Sequence, residues 1–167
     1  MFMEKEFTLS IYTENTVGVL GRICAIFTRR KLNIESISAM NSETPGLFRF
    51  TIVITSTEDQ IYKVAGQLEK QVDITNVNVF NREEIEYKEL AIFKVDLSRE
   101  DNLMDTIKNV DAKIITMGKN FATIEVNGKD DEIDVLRHKF QPGAVVDFVR
   151  SGRIAISKKG QHAHIEE

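Results

Sequence analysis

Two successive stretches of this chain carry the same order of strand-like and helix-like patterns, and this repeat constrains the fold more than any other feature. Strands are indicated by alternating apolar and polar residues, and helices by apolar residues that recur at helical spacing. Pro45 and Gly46 form a turn signal between the two middle strands. In the first stretch, the pattern predicts strands at 7–12, 33–40, 47–54 and 74–80 and helices at 18–31 and 57–68.

The second stretch repeats the order β-α-β-β-α-β after a charge-rich segment at 81–88. Its predicted strands are 89–97, 113–117 and 121–126, with 145–149 and 154–156 as the closing strand or a bent pair, and its predicted helices are 100–110 and 130–140. This order is the split arrangement of ferredoxin-like modules. We therefore predict an α+β fold of two ferredoxin-like βαββαβ domains, at 1–80 and 89–157, joined by a linker at 81–88 and followed by a flexible tail at 158–167.

The composition argues against several classes of partner. The 167 residues carry a formal net charge of −4 and a pI near 5.5, so the chain offers no general attraction to a nucleic-acid backbone. No apolar stretch approaches the length of a membrane span, and the first residues lack the pattern of a signal peptide. The single cysteine, Cys24, lies in the apolar stripe of the first predicted helix. We therefore expect a cytoplasmic protein whose partners include neither nucleic acid nor a membrane.

The turn between the first strand and the first helix has the composition of a small-molecule site. The first turn of a helix presents unpaired N–H groups and the positive end of the helix dipole, which suit a carboxylate. Gly18 lets a ligand approach this backbone closely. Asn15 and Asn33 each carry a donor and an acceptor, so together they can hold the ammonium and carboxylate groups of an amino acid. Alternatively, the turn is only a tight connection, and Arg22 one turn later is only solvated.

The sequence predicts no catalytic residues and no metal ligands. It contains no Gly-rich phosphate loop and no pattern of nucleophile and base, and His162 and His164 near the end make a poor metal site without further fixed ligands. Three hypotheses follow: an allosteric regulatory subunit, a free-standing amino-acid-responsive module that acts on transcription, or a small metabolic enzyme. A DNA-reading element, which the second hypothesis needs, is not evident.

Several short segments, taken in order and spacing, resemble a known family over nearly the whole chain. The chain is similar to the small regulatory subunits of acetolactate (acetohydroxyacid) synthase, whose N-terminal half is an ACT domain. The sequence departs from this family at Gly21 and Phe48, where a serine is usual, and the loss of a hydroxyl there bears on effector affinity and preference. The segments that carry the resemblance are 14–20 with Arg22, 33–36, 49–52, 67–70 with 72–73, 88–90 and 150–152.

The resemblance implies a subunit that does not itself catalyse. Such a subunit binds a larger catalytic subunit that holds thiamine diphosphate, FAD and Mg, raises its activity, and confers feedback inhibition by valine or another branched-chain amino acid. It also implies a homodimer formed through the ACT domains, with the effector at their junction and no cofactor on this chain. A stand-alone amino-acid-binding ACT regulator is the alternative. The implied effector residues are Asn15, Val17, Gly18, Val19 and Leu20 of one chain and Asn33 and Ile34 of the other.

Overall fold

The structure is a computed structural model that describes residues 3–159. These residues divide into two compact units. The first domain comprises residues 3–86 together with 153–159, and the second domain comprises Tyr87–Gly152. The predicted α+β class with two ferredoxin-like βαββαβ units is confirmed. Most of the predicted flexible tail, with His162 and His164, lies outside the described residues.

The first domain is an antiparallel sheet of strand order β2-β3-β1-β4 with two helices. Its elements are β1 (Lys5–Glu14), α1 (Val19–Arg29), β2 (Ser36–Asn41), β3 (Leu47–Ser56), α2 (Glu58–Leu68) and β4 (Ile74–Asn81), with β9 (Ile154–Ser157) from later in the chain. The helices bury one apolar stripe each against the sheet, as their periodicity predicts. The Thr57 side chain caps α2 by accepting a hydrogen bond from the Gln60 amide (3.4 Å).

The residues from Arg153 onward group with the first domain, whereas the sequence analysis placed 154–156 in the second, and their strand β9 pairs with β5 (Ile85–Asp96). Arg153 is 2% exposed, and its Nη1 donates to Glu6 Oε1 (2.7 Å) and Thr8 Oγ1 (2.8 Å). The Ser38 hydroxyl donates to the Arg153 carbonyl oxygen (3.1 Å), and Arg49 donates to that of Ala155 (2.6 Å). In the strand register, Thr8, Ser38 and Arg49 share the face of the sheet opposite the apolar core. We call 153–157 the returning segment, because it covers this polar face.

The second domain repeats the topology with strand order β6-β7-β5-β8, and β9 also pairs with β5. Its core gathers Phe93, Val95, Ile124, Ile133 and Leu136, all fully buried or nearly so. Its elements are β5 (Ile85–Asp96), α3 (Leu103–Ile107), β6 (Ala112–Met117), β7 (Phe121–Gly128), α4 (Asp130–Lys139) and β8 (Val145–Arg150).

The two domains agree in register as well as in order. Glu14 ends β1 and Asp96 ends β5. In each domain, the register between this strand and the last strand shifts one to two residues before that end. The Glu14 amide donates to the Asp73 carbonyl oxygen (2.8 Å), and the Asp96 amide donates to that of Ala144 at the same distance. Because a bulge and its neighbouring hydrogen bond both recur, Glu14 and Asp73 in the first domain correspond to Asp96 and Ala144 in the second.

The boundary between the two compact units, between Glu86 and Tyr87, lies inside the predicted linker at 81–88. This linker carries regular structure: Arg82–Glu84 form a 3-10 turn capped by the Asn81 side chain, and β5 begins at Ile85. The helix expected at 100–110 covers only Leu103–Ile107. Lys108 is extended and Asn109 has a φ of 72°, so the backbone leaves the helical region directly after Ile107.

Candidate effector site

The turn that follows β1 contains a glycine whose backbone lies in the left-handed region. Gly18 has φ 86° and ψ −2°, a conformation that residues with a Cβ rarely adopt. The Thr16 amide donates to the Glu14 carbonyl oxygen (2.9 Å), and the Val19 amide donates to that of Thr16 (3.3 Å). These bonds fold 14–19 into a compact turn that delivers the chain into α1. Gly18, which the sequence analysis singled out, is therefore required by the backbone conformation of this turn.

The first turn of α1 keeps N–H donors that the described residues do not use. Within 3–159, no side chain caps the helix. The Arg22 amide donates to the Gly18 carbonyl oxygen (3.1 Å), but among the described residues nothing accepts from the amides of Leu20 and Gly21. The first turn of α1 contains no acidic residue. An anion placed here would therefore find free N–H groups and the positive end of the helix dipole.

The side chains around this turn are open to solvent. Asn15 and Gly18 are exposed, Leu20 is 46% exposed, and Val17 is fully exposed. Val19 is the exception, since its side chain belongs to the apolar core. The structure therefore places Asn15, Val17, Gly18 and Leu20 where a ligand can reach their side chains or backbone, whereas Val19 holds the turn against the sheet.

The Arg22 side chain bonds both to the turn after β1 and to the loop before β4. Its Nη2 donates to the Thr16 hydroxyl (3.1 Å) and forms an ion pair with the Asp73 carboxylate. Asp73 lies just before β4, and its carbonyl oxygen accepts from the Glu14 amide. Both connections tie the turn after β1 to the loop before β4. Arg22 is therefore already paired in the chain, which favours a positioning role for it over direct contact with an effector carboxylate.

Asn33 and Ile34 lie at the other end of the sheet from this turn. Glu14 pairs with Leu47 at the start of β3, whereas the Glu35 amide bonds to Val53 near the end of β3 (2.9 Å). Six residues of extended strand separate these positions by about 20 Å. Asn33 is exposed, and Ile34 packs partly against the core. Within one chain, therefore, no amino acid could contact both Asn15 and Asn33.

Comparison with known proteins identifies the family. Residues 9–76 match the family model described as the AHAS small subunit-like ACT domain, and residues 88–159 match that of the small subunit of acetolactate synthase. The acetolactate synthase small subunit of Bacillus subtilis (strain 168) is 30% identical over 162 residues, which cover 95% of this chain and 93% of the relative. The chain belongs to the acetolactate synthase small subunit family.

Other members of the family support the same assignment at the level of sequence and of fold. The small subunit of Mycobacterium leprae (strain TN) is 30% identical over 153 residues, which cover 90% of each chain. The crystal structure of the acetolactate synthase small subunit from Thermotoga maritima superposes with a TM-score of 0.85 at 26% identity, over 92% of this chain and 98% of that one. The likeness therefore extends through both domains of the small subunit.

Sequence reasoning missed two parts of the turn in this small subunit. The Thr16 hydroxyl and the Asp73 carboxylate, which hold the Arg22 guanidinium, were not singled out as members of the site. The amide of Gly21 is free, whereas that of Val19 is bonded within the turn. The pairing of Arg22 with a residue 51 positions later depends on the β1 and β4 register, so no local pattern could reveal it.

The second domain of the small subunit closes the corresponding turn with its own carboxylate. Glu100, between β5 and α3, is 5% exposed. Its Oε1 accepts from the Thr106 hydroxyl (2.8 Å), and its Oε2 accepts from the Gln141 amide (3.0 Å). Nearby, hydrogen bonds from the Ser98 side chain and backbone, together with the Arg99 charge, hold the pKa of Asp96 below its ordinary value. This turn therefore buries a carboxylate, whereas Asn15, Val17 and Gly18 in the turn after β1 are exposed.

The described residues lack the features of two other kinds of site. Within 3–159, no three His, Cys, Asp or Glu side chains are grouped so as to hold a metal ion. In the same residues, no helix is both long and apolar enough to cross a membrane. Cys24 is a half-buried free thiol on α1.

Proposed function

We propose that this chain is the regulatory subunit of an acetolactate synthase: it binds the catalytic subunit, raises its activity, and makes it sensitive to valine or another branched-chain amino acid. The observation that carries this proposal is the match of both domains to the small-subunit family, at 9–76 and 88–159, since an ACT domain alone would suit many regulators. Thiamine diphosphate, FAD and Mg then belong to the catalytic partner. The chain acts within branched-chain amino acid biosynthesis.

The effector site is formed between two copies of the chain. β2 is the free edge of the first domain's sheet and is mostly exposed. If two β2 strands pair antiparallel about a twofold axis, the start of each lies beside the end of the other. The end of β2 pairs with the start of β3, at the same end of the sheet as the turn after β1. Pairing therefore brings Asn33 of one copy towards Asn15 of the other, which a single chain cannot do.

Different residues of the proposed site recognise different groups of the amino acid. The free amides of Leu20 and Gly21 face the effector carboxylate at the positive end of α1. Asn15 and Asn33 supply donors and acceptors to the two charged groups. Val17 and Ile34 provide apolar surface for a branched side chain. Nothing in this set favours chemistry on the ligand, so the site recognises the effector and leaves it unchanged.

Regulation requires that the effector distinguish two states of the subunit. An effector shifts an equilibrium only by the ratio of its affinities for the two states, so binding that orders the dimer junction in the inhibiting state lowers the activity of the complex. Because each site needs both copies, effector binding also strengthens the pairing of the β2 edges.

Complementation between two variants tests the shared site. Asn15→Ala and Asn33→Ala each remove one side of both sites in a homodimer, so each purified variant is expected to activate the catalytic subunit without valine inhibition. In a mixed dimer one site loses both asparagines and the other keeps both. In a co-refolded mixture, we expect the fraction of activity that valine inhibits to equal about the fraction of mixed dimers. Asn120→Ala, on the exposed β6–β7 turn of the second domain, is the matched control.

The outcomes separate the parts of the proposal. Failure of the wild-type chain to bind or activate a catalytic subunit, in a pull-down and an acetolactate assay, would contradict the regulatory function. Activation without any recovery of inhibition in the mixture would contradict the two-chain site. Amino-acid binding by the chain in the absence of any effect on a catalytic subunit would instead support the stand-alone regulator.

A further inference from the structure

The helices of the first domain form a groove that the effector site does not use. It has a volume of about 220 Å³ and lies between the last turn of α1 and the end of α2. The side chain of Ile26, which is 2% exposed, forms its apolar floor. The other residues that line it are Arg29, Arg30, Gln67, Lys70 and Gln71. We call this feature the basic groove.

The cations of the basic groove have no acidic partner in the part of the chain that the structure describes. Arg29 donates to the Ala25 carbonyl oxygen (3.3 Å) and Arg30 to Gln67 Oε1 (3.2 Å), both of which are neutral acceptors. No carboxylate within 3–159 forms an ion pair with Arg29, Arg30 or Lys70. This concentration of positive charge stands out in a chain of net charge −4.

The backbone beside the groove keeps a fourth cation at a position that normally favours glycine. Lys31 has a φ of 56°, in the left-handed region. The Lys31 amide bonds to the Thr28 carbonyl oxygen (3.0 Å) and the Leu32 amide to that of Phe27 (3.1 Å), which closes the end of α1. Glycine would adopt this conformation without strain. A lysine here adds positive charge next to Arg29 and Arg30 and carries a conformational cost that glycine would avoid.

The groove suits carboxylates carried by a protein better than a free phosphate. Many phosphate sites combine Arg or Lys side chains with the N-terminal end of a helix, where amides point at the anion. The basic groove lies instead at helix ends that present carbonyl oxygens and the negative end of the dipole. Cations on long side chains can reach outwards from such an end, so they favour carboxylates that approach across the surface. The negative end of the helix dipole attracts cations, which explains why they occur at these helix ends. This attraction leaves the positive charge of the side chains available to a partner.

We propose that the basic groove is a docking site for an acidic segment of the catalytic subunit, whose Asp and Glu side chains pair with Arg29, Arg30 and Lys70. This inference rests on the proposed regulatory function. The site lies on the helical face of the first domain, away from the free β2 edge, so a subunit can dock there while its β2 edge is paired with a second copy. Exposed pairs of this kind steer association and add modest affinity that falls with salt.

A charge-neutralising variant tests the proposal. Arg29→Gln with Lys70→Gln removes two cations and leaves the Arg30 to Gln67 hydrogen bond in place. Lys108→Gln with Lys119→Gln is the matched control, because both lysines are exposed on the second domain and the net charge changes equally. Affinity for the catalytic subunit is measured by calorimetry or interferometry at several NaCl concentrations, with thermal unfolding as a check on folding.

We expect the groove variant to lose roughly 2- to 30-fold in affinity at low salt and to show a shallower dependence on salt. The control should match the wild-type chain. Equal affinity and equal salt dependence for the groove variant and the control would overturn the docking site while leaving the regulatory function intact. Loss of stabilisation by inorganic phosphate in the groove variant, with unchanged partner affinity, would overturn it in favour of a small anion. Failure of the wild-type chain to bind would contradict the regulatory function itself.

Discussion

The two domains of this small subunit have the same strand order, corresponding register and a bulge at the same place, yet they finish the first strand-to-helix turn differently. In the first domain, most side chains of the turn at Asn15–Gly18 lie in solvent. In the second, Glu100 folds inwards and takes the Thr106 hydroxyl and the Gln141 amide. One framework can therefore leave this turn in solvent, as in the open turn of the first domain, or bury a carboxylate in it, as in the sealed turn of the second.

The largest expected effect concerns the dependence of the first domain on the returning segment. Arg153→Ala removes a buried guanidinium and leaves Glu6 and Thr8 without their partner, so we expect about 3 kcal/mol of lost stability. Urea unfolding measures the loss, and hydrogen exchange shows which domain opens. Lys119→Ala, on an exposed turn, should change little. A loss confined to the second domain would show that the returning segment does not belong to the first.

The sealed turn should be the more costly one to disturb. Glu100→Ala leaves the Gln141 amide and the Thr106 hydroxyl without their acceptor, which we expect to cost about 2 kcal/mol. Asn15→Ala, in the open turn, removes an exposed side chain and should change stability by less than about 0.5 kcal/mol. Urea unfolding of both variants gives the comparison. Equal costs would mean that the two turns do not differ in the way described.

Substitutions at two glycines three residues apart test whether the open turn requires a glycine. Gly18→Ala forces a Cβ into φ 86° and should destabilise by about 1 kcal/mol. Gly21→Ala lies inside α1 with no atom within 4 Å of the added Cβ, so it should stabilise by up to about 1 kcal/mol. Thermal unfolding gives both signs. A Gly18→Ala variant as stable as the wild-type chain would remove the conformational reason for glycine at this turn.

The smallest effect is a pH dependence in the sealed turn. Because the pKa of Asp96 is lowered in the folded chain, its charged form adds stability above the pKa of the unfolded chain, and this is lost as pH falls through the folded pKa. NMR titration should therefore place the pKa of Asp96 below the ordinary value of an aspartate. In Ser98→Ala the side-chain hydrogen bond is gone, and the pKa should rise. No change in that variant would assign the shift to the Ser98 amide and Arg99 alone.

The sequence predicts the repeated topology well because both domains follow simple periodicities. Leu9 and Ile11 alternate with polar residues on β1, and Ile61, Val64 and Leu68 mark one face of α2. The turn at Gly18 was also predictable, since a glycine before an apolar helix is a local signal. These features depend on near neighbours in the chain, and the structure confirms each of them.

The remaining features depend on contacts between residues far apart in sequence. Arg22 meets Asp73 through the register of β1 and β4, and Arg153 meets Glu6 across 147 positions. The expected helix at 100–110 begins only after Glu100, whose buried carboxylate accepts from the distant Gln141 amide, a contact that periodicity cannot register. The separation of Asn15 from Asn33 likewise follows from strand register, and it supports a site shared between two chains.

The returning segment sets an order for events during synthesis. A ribosome delivers β1 to β4 first, yet the residues that cover the polar face of their sheet follow the whole second domain. Domains generally fold as they emerge. The second domain is therefore continuous and can close on itself, while the first must wait with Thr8 and Glu6 uncovered until Arg153 arrives. The part of the protein that is made first is the last to be completed.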